Sequence, residues 1–338
     1  MASRRVSPRL LITGGAGYIG AHTAHAAVDA GYAVTVVDDL SAGTAASVPA
    51  AAALRVGDIG DRGFINAVLA EVAPACVLNF AAGVSVPQSV ADPVRYYRDN
   101  TVASLTLIEA CVRAATPQII FSSTAAVYGM ATGGYPDESA QTQPISPSGW
   151  SKLMTERMLA DIAAAGGPRY AILRYFNVAG ADPRGRVGQS GAEATHLIKV
   201  ACQVALGQRP YLQIYGLDYD TPDGSCIRDY IHVSDLATAH LAVLPALARA
   251  DGPLILNCGH GRGASVLEVV AAVARVAGRP LPTRAAPRRP GDLPVLVARA
   301  ERIRDLGVWR PQVPDLESMA RSALAWETRL TEGAAPAP

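Results

Sequence analysis

Short apolar runs separated by amphipathic stretches set the fold class of this chain. Leu10-Leu11-Ile12, within residues 9–13, is too short a run for a helix and reads as a buried strand. A glycine-rich turn follows, then a helical pattern over about 18–30 that Gly31 stops. Residues 33–37 are valine-rich and end at Asp38, which predicts a second strand. Further strand candidates lie at 54–56, 76–80, 119–122 and 170–175, with helical patterns between them. Strands alternating with helices predict an α/β fold built on a Rossmann-type doubly wound parallel sheet with right-handed crossovers.

Past Asn177 the periodicity loosens. Residues 180–194 are rich in glycine and charge; a helix over about 195–206, a strand at 212–215 and a polar loop at 218–225 follow. Helices are predicted at 233–247, 266–277 and 316–328. The stretch 280–294 carries Pro280, Pro282, Pro287, Pro290 and Pro294 and reads as an extended loop. The expected organisation is a Rossmann domain over 1–178, a smaller C-terminal substrate-binding domain over 179–330, and a disordered tail over 331–338. Part of 230–260 is expected to pack back on the Rossmann sheet, and the cleft between the two halves is the default ligand site.

Composition narrows the function classes. Half of the 338 residues are apolar, so a sizeable core is expected rather than disorder. The net charge of +1, with acids and bases mixed, gives no basic stripe for nucleic acid or an anionic membrane surface. No apolar run reaches membrane-spanning length, and the start leads into the first strand without a signal core, so a cytoplasmic protein is expected. Cys76, Cys111, Cys202, Cys226 and Cys258 are scattered with no zinc-like spacing and read as reduced core thiols. His22 and His25, one turn apart, lack carboxylate or thiol partners at ligand spacing, so no metal site is expected.

The chemistry starts at Thr13-Gly14-Gly15-Ala16-Gly17-Tyr18-Ile19-Gly20, a GxxGxxG loop between strand and helix. Gly14, Gly17 and Gly20 suit a sharp turn and close backbone approach to a pyrophosphate, with the helix N-terminus at Tyr18 and Ile19 offering N–H groups. Asp38 ends the second strand where a carboxylate holds adenosine ribose hydroxyls, and Asp39 beside it repels a 2′-phosphate, favouring NAD over NADP. Asp58 and Ile59 would flank the adenine. The hydroxyls of Ser122, Ser123 and Thr124 fall just past a strand's C-terminal end, where open α/β sheets bind ligands. Arg228 and Arg289 sit in otherwise polar loops, and arginine's planar fork suits a diphosphate.

Taken in order, TGGAGYIG, the Asp38 position, NFAA, RYYRDN, FSSTAAVYG, SKLMTE, RYFN, IRDYIHV and PRRPGDLP carry a resemblance over about residues 9–328. The chain resembles the extended short-chain dehydrogenase/reductase superfamily and, within it, the UDP-glucose (UDP-galactose) 4-epimerases. The resemblance implies tightly held NAD that oxidises a UDP-sugar at C4, a keto sugar that swings over, and hydride return to the opposite face. It assigns Thr124 the hydroxyl role and Lys152 the nicotinamide ribose, with Phe80, Ala81, Asn100 and Tyr175 near the cofactor. Asn177, His196, Leu197, Tyr215, Arg228, Arg289 and Asp292 would line the UDP-sugar site. It also implies a homodimer through helices near 94–114 and 152–164. The related 4,6-dehydratases place Asp-Glu before the Val-Tyr-Gly of this segment; Ala125 and Ala126 stand there, which leaves epimerisation. UDP-galactose and UDP-glucose are the first substrates expected. UDP-GlcNAc is the second, because Leu296 falls where a bulky aromatic residue is expected to exclude N-acetyl groups.

One position breaks the pattern. The family's catalytic tyrosine precedes the lysine by four residues, and here that place holds Ser148. A serine hydroxyl is far less acidic than a phenol, whose pKa is about 10, and its side chain is too short to take over directly. Three origins fit: an engineered substitution, a UDP-sugar-binding paralogue without turnover, or transfer of the proton role to another group or a water. Tyr128 is weighed as such a group and reads instead as packing. Val84, Val86-Pro87-Gln88 and Lys199 are further departures and lean towards natural divergence.

Overall fold

The structure is a computed structural model that describes residues 7–130, 133–191, 195–289, 291–313 and 315–333. The first half lays down β1 (Arg9–Thr13), α1 (Tyr18–Asp29), β2 (Ala33–Asp38), β3 (Ala53–Val56), α2 (Arg62–Val72) and β4 (Cys76–Asn79). It continues with α3 (Val86–Ala91), α4 (Pro93–Tyr97), α5 (Ala103–Arg113), β5 (Gln118–Ser122), α6 (Pro147–Ala164) and β6 (Arg169–Tyr175). The local reasons are those of short helices and buried strands. Every residue of β4 is buried, as expected of a parallel strand covered on both faces. Asp61 caps α2 by accepting from Phe64 N at 3.0 Å, and Ser146 caps α6 ahead of Pro147.

The second half adds β7 (Asn177–Ala179), α7 (Leu197–Ala205), β8 (Leu212–Tyr215), β9 (Ile227–His232), α8 (Val233–Arg249) and β10 (Leu254–Cys258). β11 (Gly263–Ser265), α9 (Val266–Ala277), β12 (Thr283–Ala286), β13 (Val295–Leu296), α10 (Glu301–Asp305) and α11 (Leu316–Thr331) complete it. The main sheet runs β10-β6-β5-β4-β1-β2-β3. Its order reverses between β1 and β4, so the chain leaves these neighbouring parallel strands in opposite directions and opens a crevice at their C-terminal ends.

By contacts the chain divides into two compact units: 1–127, 146–173 and 240–255 form the first, and 128–145, 174–239 and 256–338 the second. The first is centred on Leu11, Val77, Leu107, Ile119 and Phe121. In the second, α7, α9 and α11 pack Ile198, Cys202, Val273 and Met319 together. Buried carboxylates fasten its loops. Asp229 accepts from His260 N and Gly261 N, both at 2.8 Å, and Asp235 from Gln312 N and Val313 N, both at 2.9 Å.

Three expectations are corrected. The proline-rich stretch holds a strand, because residues 283–286 lie free of proline and β8 offers a parallel partner, Thr283 opposite Leu212. The arginine-bearing segment 227–232 is not a loop but β9, paired with β7, β11 and β13. Leu254–Cys258, within the stretch 230–260, is the outer strand β10 of the main sheet, beside β6. The expected tail falls partly on α11, which runs through Thr331; residues 334–338 lie outside the described residues. Among the described residues, no helix is long and apolar enough to cross a membrane.

Lys199, one of the departures, has a structural role. Its ammonium lies 2.7 Å from Glu327 on α11, with both side chains buried, and also donates to Gln189 O at 2.8 Å. Removing one partner strands a buried charge, while replacing both with apolar residues need not. Lys199→Met is expected to cost about 3–5 kcal/mol in urea unfolding, and Lys199→Met/Glu327→Leu clearly less. Equal losses in the two variants would refute this account.

Candidate active site

The first unit gathers most of the sequence-predicted residues at the C-terminal edge of its sheet. Thr13, the last residue of β1, hydrogen-bonds Asn79, the last of β4, through Oγ1 to Oδ1 at 2.8 Å. Gly14 then turns with φ +68°, and a Cβ there would stand 2.6 Å from Ala81 N, against the chain leaving β4 at Phe80 and Ala81. A Cβ on Gly20 would stand 2.2 Å from Gly14 O. Backbone packs on backbone here, which only glycine permits. Gly17 is the N-cap of α1 and no side chain caps this helix, so its first turn, Tyr18 to Gly20, presents backbone N–H groups as an anion site does.

Asp38 sits at the end of β2 beside that loop. Its carboxylate accepts from Ala16 N and Leu40 N, both at 2.9 Å, and holds the loop while keeping lone pairs for a hydroxyl ligand. Asp58 forms a local turn by accepting from Gly60 N at 2.8 Å, and the Ile59 side chain packs into the core. Tyr18 lies edge-on to His22, and burial raises its phenol pKa.

Lys152 and Ser148 are one turn apart on α6, which places them on one face. Lys152 Nζ donates to Ser122 O at 2.9 Å and lies 4.8 Å from the Phe121 ring centre. Burial pulls its pKa down to about 8, and the Glu156 carboxylate acts in the opposite direction. Glu156 in turn accepts from Ser123 Oγ at 2.5 Å. Ser122 Oγ is buried without a partner, an orphan hydroxyl at the strand end where a ligand would lie. Thr124 Oγ1 accepts from Ala126 N at 3.1 Å. Asn100, in a π-type turn, clamps Gly83 through both N–H and carbonyl and reaches Ser151 Oγ at 3.1 Å, tying the exit of β4 to α6.

The second unit brings together Arg228, Arg289, Asp292 and Tyr215. Arg228 donates to Leu293 O at 2.7 Å and lies 3.7 Å from Asp292, which also receives Arg289 Nε at 2.8 Å. The Arg289 guanidinium lies over the Tyr215 ring. Two guanidiniums against one carboxylate leave net positive charge, suited to a diphosphate. His196 is the exposed N-cap of α7, ahead of half-buried Leu197, with Nδ1 2.5 Å from Gln189. Asn177 is exposed on β7, while Tyr175 is half-buried at the end of β6. Tyr128 is a packing residue: fully buried, it bonds Asn257 at 2.6 Å and Arg174 at 3.2 Å. Among the described residues, no group of His, Cys, Asp and Glu forms a metal cluster.

Sequence reasoning missed Asn79 and Tyr96. Tyr96 is buried on α4, with its phenol against Gly83 and beside Ser148. Its motif, RYYRDN, was legible; its neighbour in space was not.

A glycine cradle with an uncapped helix, a carboxylate at the end of the second strand and a buried lysine define a nucleotide-binding α/β protein of the Rossmann class. The comparisons agree. The model of the NAD dependent epimerase/dehydratase family matches residues 10–259, and the chain belongs to that family. It is 55% identical to the UDP-glucose 4-epimerase of Azospirillum brasilense, over 98% of this chain and 96% of that one. It is similar to the crystal structure of UDP-glucose 4-epimerase from Brucella ovis in complex with NAD, with TM-score 0.91, 42% identity and coverage of 94% and 98%. The Bifidobacterium longum UDP-glucose 4-epimerase in complex with NAD⁺ and UDP superposes with TM-score 0.90, 36% identity and coverage of 96% and 99%.

The loop geometry makes a graded prediction. Gly20→Ala, whose Cβ meets backbone, is expected to cost about 1–3 kcal/mol in urea unfolding. Gly17→Ala, whose Cβ would stand 3.3 Å from Gly14 O, should cost less. The reverse order would refute the close-packing account.

Proposed function

We propose that this chain interconverts UDP-galactose and UDP-glucose, using bound NAD, with a chemical step slowed because Ser148 stands where the family has tyrosine. The observation that carries this reading is Lys152, a buried amine bonded to the last carbonyl of β5, one turn from Ser148 and in the same unit as the glycine loop. The residues present fit the cofactor: the cradle at Gly14 and Gly20 leaves no room for a Cβ, and Ser122 Oγ is an unpartnered donor. Gly14 to Gly20 would hold its pyrophosphate, Asp38 its adenosine ribose and Lys152 its nicotinamide ribose. When bound, NAD supplies the acceptor and donor of hydride at C4. Thr124 orients the 4-hydroxyl, and Arg228 and Arg289 hold the diphosphate, with Asp292 setting the angle of both guanidiniums.

The reading extends to assembly and setting. Val102, Leu105 and Val112 on the turn preceding α5 and on α5, with Trp150 and Met154 on α6, are exposed apolar side chains of the first unit. Such a set is suited to burial against a second copy of the chain. The five buried free thiols suit a reducing cytoplasm.

Two experiments test these proposals. Wild type and Ser148→Tyr are incubated with UDP-galactose and the product sugar is measured by chromatography. The variant is expected to exceed wild type by about 10²–10⁴-fold in kcat, or about 3–5 kcal/mol of barrier, with similar NAD content. If both are inert and still bind UDP, the chain is a binding protein and the activity is refuted. In sedimentation, wild type should run as a dimer and Leu105→Glu/Met154→Glu as a monomer. A wild-type monomer would refute the assembly.

A further inference from the structure

We infer that Tyr96 carries the proton transfer in this chain, acting through the Ser148 hydroxyl. The inference rests on the proposed epimerase reading and names the group that replaces the missing phenol.

Tyr96 is 6% exposed, and its Oη is buried without a hydrogen bond of full geometry. That orphan phenol is costly unless it serves something. Its ring and hydroxyl pack on Gly83, where a Cβ would come within 3.2 Å of Cζ. Gly83 is the residue Asn100 clamps, and Asn100 also holds Ser151, whose hydroxyl donates to Ser148 O at 2.8 Å. The network therefore fixes the phenol and the first turn of α6 relative to each other. α4 packs on α6, whose first turn carries Ser148; burial pushes the phenol up to about 12, while the Ser148 hydroxyl and then the Ser85 backbone draw it down. No charged group contributes to that balance. Arg95, Arg98 and Asp99, on α4 and the turn after it, pair with one another at the surface; α3 carries no charge; Lys152 on α6 bonds Ser122 O.

The step balances as a two-proton relay. The sugar 4-hydroxyl gives its proton to Ser148 Oγ as Ser148 gives its own to the Tyr96 phenolate. The C4 hydrogen leaves with its electron pair to the oxidised nicotinamide, and the C4–O bond becomes a carbonyl. On return every transfer reverses, so phenolate and oxidised cofactor are both regenerated. A buried phenol is only slightly ionised near neutrality, which fits a slow enzyme and gives it a signature: kcat should climb with pH as the phenolate fraction grows.

The test compares wild type, Tyr96→Phe, Ser148→Tyr and the double variant at several pH values. Tyr96→Phe is expected to lower wild-type kcat by about tenfold or more, to flatten its rise with pH, and to leave KM, NAD content and UDP affinity within about twofold. In the Ser148→Tyr background the loss should shrink, since a direct phenol bypasses the relay. Independently of turnover, protein labelled with ¹³C at the oxygen-bearing tyrosine carbon should show one resonance missing in Tyr96→Phe, and that resonance should move in Ser148→Ala. Equal kcat losses in both backgrounds, an unchanged pH slope, or a Tyr96 resonance blind to Ser148→Ala overturns the relay. So does an inert wild type beside an active Ser148→Tyr, which leaves the epimerase reading standing. Inactivity of both would instead refute that reading.

Discussion

The structure depends on one close approach: the backbone of the glycine loop lying directly against the chain that leaves β4. Side chains are excluded from it at Gly14, where Ala81 N fills the space of a Cβ, and at Gly20, where Gly14 O does. This contact forms because β1 and β4 are neighbours while their following segments diverge. It fixes the uncapped start of α1, the Asp38 carboxylate bound to Ala16 N, and the exit of β4 that Asn100 then ties to α6. The glycine cradle and the first turns of α6 thus share one set of backbone constraints rather than two independent ones.

That dependence explains what was legible in the sequence. The glycine spacing and Asp38 are local, and each carries its own stereochemical reason, so the close-packed loop and the carboxylate beside it could be read from residues alone. The first six strands were readable because buried parallel strands are short apolar runs. β9 and β12 were not, for opposite reasons. Ile227–His232 carries Arg228, Asp229 and His232, polar residues satisfied by tertiary partners such as the N–H groups that Asp229 accepts. Thr283–Ala286 has almost no apolar signal of its own and is a strand because β8 is beside it. Tyr96 was hidden for a third reason: its motif was visible, but only folding puts it against the first turn of a helix far along the chain.

In the second unit one carboxylate joins two arginines of different freedom. Arg228 is anchored by Leu293 O, and Asp292 takes up part of the charge of both arginines. Arg289 rests on Tyr215, an arrangement that stores an aromatic face and a guanidinium at one point. The Arg289–Asp292 pair, whose arginine is exposed, is worth little in water, so Arg289 is the freer of the two guanidiniums. Rigidity here comes from half-buried Arg228, and adaptability from exposed Arg289.

On the proposed reading, Ser148 alters the proton transfer and leaves the frame as it is. Its position in α6 is set by the Ser146 cap, Pro147 and the Ser151 hydroxyl on its carbonyl, none of which depends on a phenol. Lys152, one turn on, keeps its bond to Ser122 O, and its burial holds it near the point of losing its proton. A direct tyrosine would use that lysine as its neighbouring charge. A serine cannot, because its hydroxyl does not ionise in this range. What a serine can do is conduct a proton between two better partners. On the relay proposed above, one of them is Tyr96, already buried and packed on Gly83, which Asn100 clamps. The cost of moving the phenol from the sugar to the far side of a hydroxyl is its distance from Lys152's charge, and so a higher proton affinity and a slower step. On that reading, a serine at 148 displaces the base and leaves the scaffold intact.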